Sequence, residues 1–121
     1  MEKNTRNKKI LGAAGEGLAE RFYRERGCAI LEKNFIFKHG EIDLIVKDHE
    51  EVVFVEVKTR RGTQFGAPEA SVTPLKQHLL RRTAEGYIWL HHLENTPCRF
   101  DVLAVTAEGG EASTRHFPNA F

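Results

Sequence analysis

The chain has 121 residues, 40% of them apolar and 29% charged, which is enough for one domain with its own core and too little for two. Eighteen lysines and arginines stand against 17 aspartates and glutamates, a near-balance that excludes a protein coating nucleic acid by bulk charge. Cys28 and Cys98 form neither a CxxC pair nor a ligand-spaced set with histidine, and no apolar run nears the ~20 residues a bilayer requires or makes a signal peptide; a reduced, cytoplasmic chain without membrane contact is expected.

Residues 1–9 carry Lys3, Arg6, Lys8 and Lys9 against Glu2, a local +3 that leaves 14 basic and 16 acidic side chains for the rest. This reads as a flexible basic arm preceding a single domain at 10–121. Because the body is faintly acidic, a polyanion would be held by patches, of which the arm, Lys58 with Arg60 and Arg61, and Lys76 with Arg81 and Arg82 are the candidates.

From Ile10 to about Arg26 the spacing is helical, with Leu11, Ala14, Leu18 and Phe22 on one stripe and Gly27 as the stop. Glycines at 12, 15 and 17 each cost up to ~1 kcal/mol of helix propensity relative to alanine, so tertiary packing must hold this helix, and a close backbone approach would explain them. Two short apolar segments, Cys28–Leu31 and Asn34–Phe37, read as strands. Gly40 then opens Glu41–Lys47, which alternates strictly, with Ile42, Leu44 and Val46 on one face and Glu41, Asp43 and Ile45 on the other. Val52–Lys58 follows after four polar residues, with Val53, Val55 and Val57 opposite Val52, Phe54, Glu56 and Lys58. The two runs make a hairpin.

From Thr59 to Ala70 no apolar period is present, and Gly62, Gly66 and Pro68 predict a mobile surface loop. Thr73-Pro74 is an N-cap and first-turn proline, and Leu75, Leu79, Leu80, Thr83, Tyr87 and Leu90 continue as a helical stripe to about Leu93. Pro97 breaks the chain, Phe100–Thr106 is a further strand, and Gly109-Gly110 separates it from a weak last strand near Ser113–Phe117. The order predicts a mixed α/β domain containing an antiparallel hairpin.

The hairpin can be given a register. With 48–51 as the loop, paired positions sum to 99, so Asp43 faces Glu56 and Glu41 faces Lys58. Opposed carboxylates with Cβ atoms about 5 Å apart repel unless a cation or a shared proton intervenes. Asp43 and Glu56 thus present two hard oxygen ligands beside the Lys58 ammonium, the set that magnesium-assisted attack on a phosphodiester uses; carboxylates select Mg²⁺ or Mn²⁺ over softer metals. The plainer alternative is a solvated hairpin face, and a loop one residue longer or shorter would send Asp43 to the other side.

The run Gly40-Glu41-Ile42-Asp43-Leu44-Ile45, followed by Val53-Phe54-Val55-Glu56-Val57-Lys58-Thr59-Arg60, resembles the small bacterial YraN-type family of predicted nucleases. The likeness extends upstream through Gly15-Glu16 and Ala19 to Gly27, and downstream through Lys76, 84–90 and Arg99-Phe100-Asp101-Val102. It implies a restriction-endonuclease-like fold, similar to archaeal Holliday-junction resolvases, and an endonuclease acting on nucleic acid, DNA in the first place, through a D…ExK site. On this chain Asp43 and Glu56 would be metal ligands, Lys58 would orient or acidify the attacking water, and Glu16 would be a third, helix-borne carboxylate at the metal. A homodimer is compatible with that reading. The rival is a non-catalytic nucleic-acid-binding or adaptor domain on the same fold; a glycosidase is disfavoured because directly opposed carboxylates sit too close for an inverting pair.

Glu16 lies about 140° from the centre of the Leu11, Leu18, Phe22 stripe, which puts it in solvent, although its small neighbours would let the helix approach a strand with the carboxylate reaching over the edge. Lys76 falls within the apolar stripe of the second helix and must snorkel or meet an anion. Arg60 and Arg61, just past the ExK strand, are placed to touch phosphates, whereas Arg81 and Arg82 read as solvated. His39 reads as an exposed loop residue, Phe35 and Phe37 as core that could instead stack bases, and Asp101 as a satisfied structural carboxylate.

Overall fold

The computed structural model describes the backbone of residues 2–61 and 72–121, and the side chains of 14–61 and 72–121 except 108. Helix α1 (Glu2–Glu25) is followed by strands β1 (Ala29–Phe37), β2 (Gly40–Asp48) and β3 (Glu51–Arg61), helix α2 (Pro74–Leu90), and strands β4 (Cys98–Glu108) and β5 (Glu111–Phe117). The strands form one five-stranded sheet in chain order. β3 and β4 pair in parallel and the other neighbours antiparallel, so the connection carrying α2 is a crossover.

The helices cover opposite faces. Ala19, Phe22 and Tyr23 of α1 pack with Leu44, Val46, Val53, Val55 and Leu103. Leu80, Ala84 and Tyr87 of α2 pack with Phe35, Ile45, Phe54, Phe100 and Val102. With both sides covered, the central strands carry the unbroken apolar runs Val52–Val55 and Val102–Val105 rather than an alternation. The domain is the mixed α/β structure expected, compatible with a restriction-endonuclease-like fold.

Several local expectations are corrected. α1 begins at Glu2, eight residues before the predicted start at Ile10. Its inward face is Gly15, Ala19, Phe22 and Tyr23; Ala14 is exposed and Leu18 only half-buried. The two short strands before Gly40 are one strand, β1, with its register shifted between Ile30 and Glu32. The alternation of β2 also breaks at Asp43: Ile42 packs on the α2 side with Ile45, while Leu44 and Val46 pack on the α1 side. Thr59–Arg61 belong to β3; the remainder of the predicted mobile loop lies outside the described residues.

α2 starts as expected, with Thr73 Oγ1 accepting from the Lys76 N–H at 3.2 Å and Pro74 in the first turn. Its buried face is Leu80, Thr83, Ala84, Gly86 and Tyr87, whereas Leu75, Leu79 and Leu90 are exposed. The helix ends at Leu90, one turn before the predicted Leu93. Arg81 is not simply solvated, since its guanidinium lies 4.9 Å from the centre of the Phe100 ring.

Asp101 is fully buried and amply satisfied. Its carboxylate accepts from Tyr23 Oη at 3.0 Å, Arg99 Nε at 3.0 Å and the Asn119 N–H at 3.2 Å, and lies 2.8 Å from His116 Nε2. Burial opposes the Arg99 charge, but Asp101, Glu51 and Asp48 outweigh that cost and hold its pKa above the usual value. This network ties α1, β4 and β5 together and is structural, as read from the sequence.

Candidate active site

The site forms where the sheet splits. β2 and β3 pair with positions summing to 99, from Asp48↔Glu51 through Lys47↔Val52 to Leu44↔Val55, and the ladder stops there. Beyond it each strand keeps its outer partner: β2 stays paired to β1 through Ile42, Glu41 and Gly40, and β3 to β4 from Glu56 through Arg61. Asp43 and Glu56 therefore stand in the fork between two strands rather than as the last rung of the ladder, a correction to the simple cross-strand pair. Asp43 Oδ2 accepts the Val57 N–H at 2.8 Å, doing for that amide what a ladder carbonyl would have done.

Glu56 is only 8% exposed. Its Oε1 lies 3.9 Å from Lys58 Nζ and 3.8 Å from Lys76 Nζ, and its carboxyl is within hydrogen-bonding reach of Asp43. Burial pushes its pKa up, the Asp43 charge adds to that, and Lys76 and Lys58 pull back, leaving it at about 7. Lys76 lies one turn before the buried Leu80, and its side chain, 43% exposed, snorkels along the helix to the fork and meets Glu56 there.

Glu16 arrives from the other side. Seven residues before Tyr23 and three before Ala19, it projects within about 20° of Tyr23 and so borders the inward face of α1, nearer the sheet than the Leu11–Leu18 stripe suggested. Its side chain stays exposed, yet burial, followed by the Asp43 charge, raises its pKa; Asn34 opposes this by hydrogen bonding, and Glu41 adds a smaller repulsion. Gly15 makes the approach feasible: a Cβ there would run into the side chain of Thr59 on β3.

Asp43, Glu56, Lys58 and Lys76 thus converge on the fork, with Glu16 close enough to Asp43 for their charges to interact. Arg60 and Arg61 continue β3 opposite Thr106 and Ala107, half-buried and exposed respectively. Phe35 is core; Phe37 is partly buried and His39 exposed. Sequence reasoning missed Asn34 and Thr59. Asn34 adopts a left-handed φ of 52°, a conformation that asparagine tolerates better than most residues, and that preference was the available signal.

Among the described residues, no group of three or more His, Cys, Asp or Glu side chains is gathered tightly enough to hold a metal unaided. The Asp43–Glu56 pair nevertheless fits a hard divalent cation. Its oxygens repel one another in a buried setting, and Mg²⁺ is commonly bound by one or two carboxylates, the rest of its shell being water and phosphate oxygens. Among the described residues no helix is long and apolar enough to cross a membrane.

A family model described as "Uncharacterised protein family UPF0102" matches residues 15–105, which include Glu16, Asp43, Glu56, Lys58 and Lys76. A UPF0102 protein of Syntrophomonas wolfei is 42% identical over 116 residues, covering 92% of this chain and 96% of that one. Another, from Shewanella woodyi, is 44% identical over 111 residues, covering 91% and 90%. A third, from Geotalea uraniireducens, is 45% identical over 97 residues, covering 80% and 76%. With a match spanning most of the chain and relatives of nearly equal length, the chain belongs to the UPF0102 family, the group to which its YraN-type motifs pointed.

Proposed function

We propose that the fork is the active site of a metal-dependent endonuclease that hydrolyses phosphodiester bonds in nucleic acid, DNA in the first place. The observation that carries this reading is Glu56: a buried carboxylate set against the Asp43 carboxylate and flanked by two ammonium groups within 4 Å. A hairpin serving only structure gains nothing from that arrangement, because like charges brought together out of water cost stability.

In this reading Asp43 and Glu56 hold Mg²⁺ or Mn²⁺, with Glu16 as a third carboxylate reaching it directly or through water; the bound ion supplies Lewis acidity at the phosphate. Lys58 orients the attacking water and stabilises charge developing on the phosphate oxygens. Attack at phosphorus breaks one P–O bond, and the resemblance implies a product with a 5′-phosphate. Lys76, Arg60 and Arg61 neutralise backbone phosphates.

The experiment is a cleavage panel of duplex, single-stranded, flapped and four-way DNA with Mg²⁺ or Mn²⁺. Lys58→Ala is expected to lose cleavage by about 10²-fold or more and keep metal binding, whereas Glu56→Gln loses both. Arg60→Ala with Arg61→Ala weakens affinity and flattens its salt dependence. If wild type cuts none of the substrates, or Lys58→Ala cuts as fast as wild type, the rival of a non-catalytic binding module replaces the enzyme.

A further inference from the structure

A second concave surface lies along α2, apart from the fork. The turn joining β1 to β2 rests on the helix at two points where side chains are missing: a Cβ on Gly86 would enter the Phe37 ring, and one on Gly40 would meet Thr83. The turn and the outer side of α2 enclose a cleft of about 420 Å³, within the 300–1,000 Å³ range of ligand sites. Its walls bring together Phe37 and Trp89, Lys38 and Arg82, and His39 and His78, with Glu85 as the one acidic side chain among the described residues of the lining.

Trp89 is 67% exposed, and Leu79, also in the lining, is 50% exposed. Large apolar groups left in water beside cations invite a partner with apolar faces and negative charge. Unpaired nucleic acid has both: bases stack on aromatic rings while phosphates pair with Lys and Arg. Lys38 is held in the left-handed region at φ 55°, with Nζ 5.7 Å from the centre of the Phe37 ring, so cation and aromatic surface already stand together.

We propose that this cleft binds an unpaired stretch of nucleic acid, its bases on Trp89 and its phosphates on Lys38 and Arg82. Continuity with the fork supports this occupant over an apolar protein partner. Gly40, in the cleft lining, and Asp43, at the fork, are three residues apart on β2, about 10 Å along the strand. Two or three nucleotides bridge that distance at about 3.4 Å per phosphate of a stacked strand. The inference deepens the nuclease reading by assigning it substrates with a single-stranded flank, and for that role it rests on that reading; binding itself does not require cleavage.

Trp89 is the sole tryptophan, so its fluorescence reports this cleft alone. Titrating the whole protein in chelator with oligothymidylate should change the Trp89 emission saturably, in wild type and in Glu56→Gln alike. Anisotropy of a labelled oligomer should show Trp89→Ala binding at least about fivefold more weakly and Trp89→Phe recovering most of the loss. Lys38→Asn with Arg82→Ala should lower the slope of log affinity against log salt by about 1.4. Oligomer binding that leaves Trp89 emission unchanged, or that is indifferent to all these substitutions, overturns the proposal. So does an emission change that follows protein concentration without DNA, which would mark a second copy of the chain in the cleft. Duplex cleavage by wild type with no effect of Trp89→Ala on flanked substrates removes this inference and leaves the nuclease; Trp89-dependent binding without cleavage of any substrate does the reverse.

Discussion

At Glu56 two demands conflict. Burial and the neighbouring Asp43 favour the neutral carboxylic acid, while Lys58 and Lys76 favour the anion, and the first pair prevails in the metal-free protein. The consequence for stability has a definite sign. The folded state holds this proton up to a pH of about 7, whereas the unfolded chain releases it near the ordinary 4.5. The stability that the tighter-held proton contributes is thus fully present below pH 4.5 and is lost as pH rises through 7. A tenfold difference in proton affinity between the folded and unfolded chain is worth about 1.4 kcal/mol, so the loss should amount to about 3 kcal/mol between those limits. Urea unfolding in chelator across that window is expected to show wild type losing stability relative to Glu56→Gln, whose amide does not titrate. Parallel curves for the two proteins would mean that the Glu56 proton is not held more tightly in the fold. Asp48 titrates with the opposite sign, its carboxyl held low by His49 and Arg99, and that contribution cancels in the comparison.

Among the elements, α1 depends on a single missing methyl group. Gly15 faces Thr59 closely enough that a Cβ would strike Oγ1 and press on Cγ2 and Cβ, which lie at 3.1 and 3.2 Å. Gly15→Ala would gain up to ~1 kcal/mol of helix propensity, but a stiff β-branched neighbour fixed in a strand leaves the new methyl nowhere to go, and overpacking typically costs about 1–3 kcal/mol. We expect net destabilisation by chemical denaturation, largely relieved when Thr59→Ala is added, as a positive coupling in the double-mutant cycle. If Gly15→Ala stabilises the protein, the close approach that brings Glu16 to Asp43 is wrong. The same residue explains why this side of the site was hard to read. Gly15 and Ala19 carry little apolar weight, so the leucines at 11 and 18 set the stripe and concealed that the exposed Glu16 borders the inward face. In α2 the predicted stripe was half right: Leu80, Thr83 and Tyr87 are buried, but Leu75, Leu79 and Leu90 are exposed, and the small Ala84 and Gly86 complete the inward face. The hairpin register was legible, since two polar turn residues within a four-residue polar stretch keep the same parity as the whole stretch. The end of its ladder was not, because β1 and β4 draw the strands apart and neither pairing is visible in the hairpin itself.

For the molecule as a whole, a divalent cation should act as part of the fold. Near-neutral net charge means that ionic strength alone has little global repulsion to screen. The local conflict at Asp43 and Glu56 remains, and an ion that binds only the folded pair stabilises it by RT ln(1 + [L]/Kd), about 2.7 kcal/mol at a hundredfold excess over Kd. The melting temperature in 10 mM Mg²⁺ should therefore rise by several degrees at pH 8, where Glu56 is ionised. At pH 5.5 the rise should shrink, because the ion must first displace the Glu56 proton. Asp43→Asn should abolish the rise at both pH values. Lys58→Ala should preserve it or enlarge it, since the variant removes a neighbouring positive charge and no ligand. Replacing MgCl₂ by NaCl at matched ionic strength separates site binding from screening: a rise produced equally by sodium, or retained in Asp43→Asn, would show that the fork holds no divalent ion, and the hydrolytic reading would lose its cofactor.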